Sequence, residues 1–191
     1  MNKTTEYYEE NAKAFIENTV DCDMSLQYNL LLKHLEKGAT ILDVGFGSAR
    51  DMLKFKELGF DVCGIDVADR FVSNAKKFGL NVNKMSVLDI DYNNTFDGIW
   101  ACASLLHLSK KELIIAFNKL ECALKENGFI YMSFKLGDYE GYRNGRFFTD
   151  LTLDSFNKLV SNTNLRIIET LITKDVRPDR EESWLNVVLT K

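Results

Sequence analysis

Thr40-Ile41-Leu42-Asp43-Val44-Gly45-Phe46-Gly47-Ser48-Ala49-Arg50-Asp51 reads as the end of a strand, a glycine turn and the start of a helix. Thr40 to Val44 is a short apolar run. Gly45 and Gly47 let the backbone turn sharply and approach a ligand closely. Ala49, Met52, Leu53, Phe55 and Leu58 are then spaced for one face of a helix that Gly59 stops. Glycines often do no more than end a strand. With a strand before and a helix after, these two stand where a doubly wound sheet opens its ligand crevice, beyond the carboxyl ends of the strands. The helix start at Ser48 adds unpaired amide donors.

Outward from this unit the pattern repeats. Strands are expected at residues 61–65, 81–87, 96–101 and 128–134, and a helix at 69–78. Ser109 and Glu112 form a capping box for a helix with Leu113, Phe117, Leu120 and Leu124 on one face. Two helices, 5–18 and 24–35, precede the first strand. A long polar loop, a helix at 153–160 and two strands at 165–173 and 184–190 close the chain. No helix separates those last two strands, so the final one should run antiparallel to its predecessor. The pattern predicts an α/β fold: a doubly wound, mostly parallel seven-stranded sheet with an antiparallel last strand and helices on both faces, Rossmann-like in layout. Residues 1–191 form a single domain, with 1–38 a helical lid region and 39–191 the core.

The composition agrees. A chain of 191 residues, 46% hydrophobic and 27% charged with one proline, suits one globular domain that buries about 70% of its unfolded surface. The four cysteines, Cys22, Cys63, Cys102 and Cys122, lie at least twenty residues apart without a C-x-x-C pair, and only Cys102 has a histidine near it. No metal site is expected, and the cysteines read as reduced thiols. A net charge of −4 without a basic cluster argues against nucleic acid as main partner. Glu6, Glu9 and Glu10 are unlike a signal peptide, and no apolar run reaches the ~18 residues of a membrane span. A cytoplasmic protein is expected; its oligomeric state is not legible.

The loop departs from a dinucleotide fingerprint, because Arg50 stands where G-x-G-x-x-G has its last glycine. Asp43, two residues before Gly45, would repel a pyrophosphate but attract an ammonium group. Asp66, nineteen residues after Gly47 at the tip of the next strand, can accept hydrogen bonds from ribose hydroxyls. An adenosine ligand with a cationic amino-acid tail and no phosphate has the make-up of S-adenosylmethionine.

On these residues the chain resembles a known family. Residues 41–51, 64–67, 96–107 and 127–135 look like the successive motifs of class I S-adenosylmethionine-dependent methyltransferases. The Gly47-Ser48-Ala49-Arg50-Asp51 version is similar to the small-molecule branch that includes tellurite-resistance methyltransferases. The resemblance implies that Asp43, Gly45 and Gly47 hold the methionine tail and that Asp66, with Val67 beside it, holds the ribose. It also implies that Ala101, Cys102 and Ala103 pass close to the amino group and sulfonium. Ala49 replaces the family's third loop glycine. The family's adenine-binding acid falls on Ser86. Either Ser86 meets adenine, with Met85 packing on the ring and the Val87 amide helping, or Asp89 does so through a shifted loop; Met85 also reads as strand core.

On the acceptor side, methyl transfer needs a base only when the nucleophile arrives protonated. His107 is the candidate base, or else caps or packs beneath the cofactor; His34 reads as a packing or surface residue. Tyr7 and Tyr8 suit a lid, or simply helix packing. The loop at 136–149 carries Tyr139, Arg143 and Arg146, and the connection at 175–183 carries Arg177 and Arg180. Their guanidinium groups suit an anionic acceptor, or pair with Asp138, Glu140, Asp179, Glu181 and Glu182 to fasten the loops. The sequence therefore reads as a methyltransferase acting on a small molecule. The alternative is a non-catalytic S-adenosylmethionine or adenosine-binding sensor module on the same fold, and Arg50 disfavours a nicotinamide oxidoreductase.

Overall fold

A computed structural model describes residues 2–177 and 180–191, which leaves Asp179 outside the described residues. Five strands run parallel in the first two-thirds of the chain: β1 (Thr40–Val44), β2 (Asp61–Asp66), β3 (Asn81–Lys84), β4 (Phe96–Ala101) and β5 (Leu124–Lys135). Helices α3 (Arg50–Glu57), α4 (Asp69–Lys77) and α5 (Lys110–Ala123) connect them, and α1 (Lys3–Thr19) and α2 (Ser25–Leu32) come first. Later come the hairpin β6 (Glu140–Arg143) and β7 (Arg146–Thr149), then α6 (Leu153–Val160), β8 (Arg166–Lys174) and β9 (Ser183–Thr190). The main sheet has the order β3-β2-β1-β4-β5-β9-β8, with β9 antiparallel to both of its neighbours. The antiparallel last strand thus slots between β5 and β8.

Successive side chains on a strand face opposite sides, so a near-continuous apolar run feeds two cores. Leu42, Ile99, Ile130 and Val187 belong to the core beneath α5 and α6. Their chain neighbours Ile41, Trp100, Tyr131 and Val188 belong to the opposite core with Tyr28 of α2 and Phe55 of α3. A third cluster packs Ala12 of α1 against Met52 of α3 and Phe71 of α4. The expected capping box starts α5: Ser109 N–H donates to Glu112 Oε2 at 2.8 Å, and the Ser109 hydroxyl accepts the Glu112 N–H at 3.3 Å.

Two expectations change. β3 stops at Lys84 rather than 87, because Ser86 caps a short 3-10 turn by accepting the Leu88 N–H at 3.1 Å. The polar loop expected at 136–149 is instead largely the β6-β7 hairpin, turned by Asn144 (φ 51°) and Gly145 (φ 78°). An Asn-Gly pair with both φ positive is the tight turn whose twist matches that of the flanking strands.

Strand order reverses between β1 and β4, and the turn after β1 lies at that switch point. Gly45 and Gly47 both have positive φ, 74° and 51°. A Cβ on Gly45 would come within 2.5 Å of Ser104 Cβ, and one on Gly47 within 2.9 Å of Phe15. Ala49, in place of a third glycine, takes φ 65° and is fully buried; its methyl fits the space at the cost of a left-handed backbone.

Candidate active site

The switch point opens into a crevice with two lobes. The inner lobe lies between the tips of β2 and β4 and is lined by Asp66, Val67, Met85, Ser86, Val87 and Ser104 among others. The outer lobe spreads over the tips of β4, β5 and β9, past Cys102, Tyr131, Ser133, Lys135, Trp184 and Asn186. Both lobes share the walls made by Tyr8, Phe15, Gly45, Gly47, Ala103 and His107.

Asp66 is buried, and its carboxylate accepts the Gly47 N–H at 3.0 Å and the Ala68 N–H at 2.9 Å. Burial raises its pKa to about 6, with the backbone donors of Ala68, Gly47 and Val67 pulling the other way. Met85, Ser86 and Val87 line the inner lobe, whereas Asp89 does not. Asp43 lies under the glycine turn, 2% exposed, and its Oδ2 has no hydrogen-bond partner. Burial first, then the nearby Asp51 carboxylate, push the Asp43 pKa well above the usual carboxylate range.

Cys102 and Ala103 line the crevice as expected. Ala101 does not: it is fully buried in the core beneath α5, one residue too deep. The Ala103 N–H donates to the buried Ser133 hydroxyl at 2.8 Å, which fixes this wall, and burial pushes the Cys102 thiol up to about 12.

His107, the expected candidate base, lines both lobes with both ring nitrogens engaged. Nδ1 meets the Phe147 carbonyl at 2.6 Å, so that nitrogen is the donor, and Nε2 accepts the Tyr8 hydroxyl at 2.8 Å. Burial, opposed by the Phe147 hydrogen bond, lowers its pKa to about 4. Both ring nitrogens are thus occupied by partners within the protein.

The expected acceptor residues separate. Tyr8 lines both lobes, but Tyr7 lines only the outer mouth. Tyr139 lies away from the crevice, its hydroxyl donating to the Tyr142 carbonyl at 2.8 Å and its ring under Arg143. Three arginines pair with acids: Arg143 with Asp150, Arg177 with Asp175 at 2.7 Å, and Arg180 with Glu182 at 3.8 Å. Arg177 and Arg180 nonetheless line the outer lobe. Arg146 makes no ion pair among the described residues, and its buried Nε lacks a hydrogen-bond partner. Its guanidinium sits 4.5 Å from the Tyr7 ring centre and 5.1 Å from that of Phe148, with Nη1 3.4 Å from the Tyr8 hydroxyl.

Sequence reasoning missed the Arg50–Asp51 pair as part of the outer lobe, and Phe15, which reaches both lobes from α1. Phe15 was visible only as one apolar position of a helix.

Residues 41–128 match the model of a methyltransferase domain. The sequence finds no match among curated proteins. The fold is similar to that of the Burkholderia thailandensis 1,6-didemethyltoxoflavin-N1-methyltransferase with bound 1,6-didemethyltoxoflavin and S-adenosylhomocysteine. That likeness has 20% identity, a TM-score of 0.80, and spans 97% of this chain and 84% of that one. An S-adenosylmethionine-dependent methyltransferase from Mesorhizobium loti has a TM-score of 0.72 at 14% identity, over 92% of this chain and 100% of that one. The [4+2]-cyclase SpnF has a TM-score of 0.77 at 15% identity, over 98% and 97%. A methyltransferase domain model thus matches residues 41–128, and the likeness to these solved structures shows their fold along nearly the whole chain.

Proposed function

We propose that the enzyme transfers the methyl group of S-adenosylmethionine to a small, anionic acceptor, in the cytoplasm, where its free cysteines stay reduced. One observation carries this reading: two lobes at the switch point share a single wall of Tyr8, Phe15, Gly45, Gly47, Ala103 and His107, the inner one lined by Asp66 and the outer one by Arg146. When bound, the cofactor supplies an electrophilic methyl on a sulfonium, open to in-line displacement.

The residues fit that group. Asp66 has acceptor capacity beyond its two backbone donors and takes the ribose hydroxyls, with Val67 alongside. Met85, Ser86 and Val87 face adenine. The unpartnered Asp43 oxygen under the turn suits an ammonium group, whose charge would return the carboxyl to its ionised form. Gly45 and Gly47 leave room where a Cβ would not fit. Cys102 and Ala103 flank the tail. His107 holds the Tyr8 phenol in place, so these two side chains orient and exclude water rather than move a proton. Arg146 supplies the guanidinium for the acceptor's negative group, and Arg177 and Arg180 fasten the roof with Tyr7 at the mouth.

Calorimetry with S-adenosylhomocysteine tests this. Asp66→Ala and Asp43→Ala are each expected to weaken binding about ten- to hundredfold, which corresponds to losing a charge-assisted contact of about 1.5 to 3 kcal/mol. Unchanged affinity in both variants would overturn the assignment of the lobes.

A further inference from the structure

The floor of the outer lobe is the sheet surface of β5 and β9, and its polar groups are spent within the protein. Tyr131, Ser133 and Lys135 alternate along β5, and β9 sets Asn186 beside Ser133 and Trp184 beside Lys135. The Tyr131 hydroxyl donates to Asn186 Oδ1 at 2.6 Å, and the Asn186 amide donates to the Leu171 carbonyl at 2.9 Å and the Thr173 hydroxyl at 3.0 Å. The Ser133 hydroxyl accepts the Ala103 N–H and donates toward the Cys102 sulfur at 3.7 Å. The Trp184 indole N–H donates to Asp175 at 3.1 Å. Such a floor has few partners for the hydroxyls of a sugar or nucleotide, which would give up water without return. It suits a flat, apolar body, and Phe15, Phe148 and Trp184 add aromatic rings to the walls.

Two side chains around this floor keep open polar groups. One is Arg146, with its unpartnered Nε. The other is Gln27, on the buried side of α2 with Tyr28, Leu30 and Leu31. Gln27 is 5% exposed, lines the outer lobe and not the inner one, and its side-chain amide makes no hydrogen bond among the described residues. The two handles stand at different ends of the floor. Met24 and Tyr28, which flank Gln27 on the chain, pack in the cluster that contains Tyr131. Lys135 and Arg146 instead meet the Phe148 ring, at 5.2 and 5.1 Å from its centre. Tyr131 to Lys135 is a span of about 13 Å of strand, the length of a two-ring body with a polar group at each end. An amide side chain both accepts and donates, so the complement of Gln27 is an uncharged group with C=O and N–H side by side, as in an amide or a ring lactam.

We propose that Gln27 is a specificity-determining residue of the acceptor site, hydrogen-bonding the N–H/C=O edge of a planar aromatic acid whose anionic group meets Arg146. The inference rests on the anionic-acceptor reading and narrows it to flat, ring-based acids rather than polyhydroxylated ones.

The test is calorimetry on the protein saturated with S-adenosylhomocysteine, using four probes. 2-Oxoquinoline-4-carboxylate has rings, carboxylate and lactam; naphthalene-1-carboxylate lacks the lactam; 2-quinolone lacks the carboxylate; quinate is a polyhydroxylated ring acid. Wild type is expected to bind the oxoquinoline acid at least about tenfold more tightly than the naphthalene acid, and quinate more weakly than either. Gln27→Met should remove that preference by weakening the oxoquinoline acid alone, with the affinity for S-adenosylhomocysteine unchanged. Equal binding of the two aromatic acids to wild type overturns the proposal, and that comparison stands even if the variant does not fold. An equal loss of both acids in Gln27→Met, or a loss of S-adenosylhomocysteine affinity, overturns it too, since Gln27 would then serve the fold or the cofactor. Tightest binding of quinate would overturn the flat-ring class. If 2-quinolone binds as tightly as its carboxylate, the anionic-acceptor reading fails while the Gln27 contact is upheld. If the saturated protein binds none of the four, both fail.

Discussion

Buried, with both ring nitrogens engaged, His107 stays neutral to about pH 4. A histidine whose folded pKa lies below its unfolded value of about 6.5 stabilises the native state fully above that pH. The stability is lost as pH falls from about 6.5 toward 4, because the unfolded chain takes up a proton that the native chain refuses. The shift corresponds to at most about 3.4 kcal/mol. Urea denaturation between pH 7 and 4.5 is expected to show a steeper acid loss in wild type than in His107→Gln; parallel curves would mean that the imidazole is not held neutral. The same variant should keep the pH profile of the rate and lose less than about tenfold in kcat, since no obligatory base is removed. For Arg146, the prediction concerns the acceptor. Arg146→Ala should raise its KM at least about tenfold, Arg146→Lys should be intermediate, and high salt should narrow the difference. An unchanged KM with lowered thermal stability would make Arg146 a fastener of the hairpin. The places of Asp43, Gly45 and Asp66 at the crevice were legible because position along a strand–turn–helix unit fixes them. Whether an arginine is paired was not legible, because Asp150, Asp175 and Glu182 reach their partners only in the folded chain.

The glycine turn and the hairpin show two kinds of legibility at the level of elements. The turn after β1 is local: Gly45 has φ 74° and no room for a Cβ beside Ser104. Gly45→Ala should therefore destabilise the protein by about 1 to 3 kcal/mol and weaken S-adenosylhomocysteine in the same variant. Chemical denaturation alongside calorimetry checks this, and an alanine variant that keeps both stability and affinity would show that the turn tolerates a side chain. The β6-β7 hairpin was also written locally, in Asn144-Gly145 between Tyr142 and Phe147, yet its glycines and charges read as loop. Alternation was weak there because aromatic and charged residues share both faces, and Arg143 and Arg146 sit beside the turn. α1 owes its position to distant partners: the Thr4 hydroxyl accepts the Phe147 N–H at 2.9 Å, and Glu9 accepts the Asp69 N–H at the start of α4. Nothing in the sequence of α1 names either contact.

Across the whole molecule, the sheet order puts the reversal of strands, the glycine turn and the ends of β4 and β5 at one edge, and α1 with the hairpin roofs them. The alternation of strands and helices made this layout readable, because a parallel sheet needs covered crossovers and those crossovers leave their ligand crevice at the switch point. The division of the crevice was not readable, since it depends on Tyr8 and Phe15 reaching across from α1. No helix of the described residues is long and apolar enough to cross a membrane. The most direct measurement is mass spectrometry of a small-molecule cell extract incubated with the protein and trideuteromethyl-labelled S-adenosylmethionine. The account predicts a metabolite bearing a carboxylate or other anionic group that gains one labelled methyl, in proportion to the S-adenosylhomocysteine formed, with Asp66→Ala slowing the transfer at limiting cofactor. Tight binding of S-adenosylhomocysteine with no labelled metabolite at any cofactor concentration would contradict it, and would leave a binding module on a methyltransferase fold.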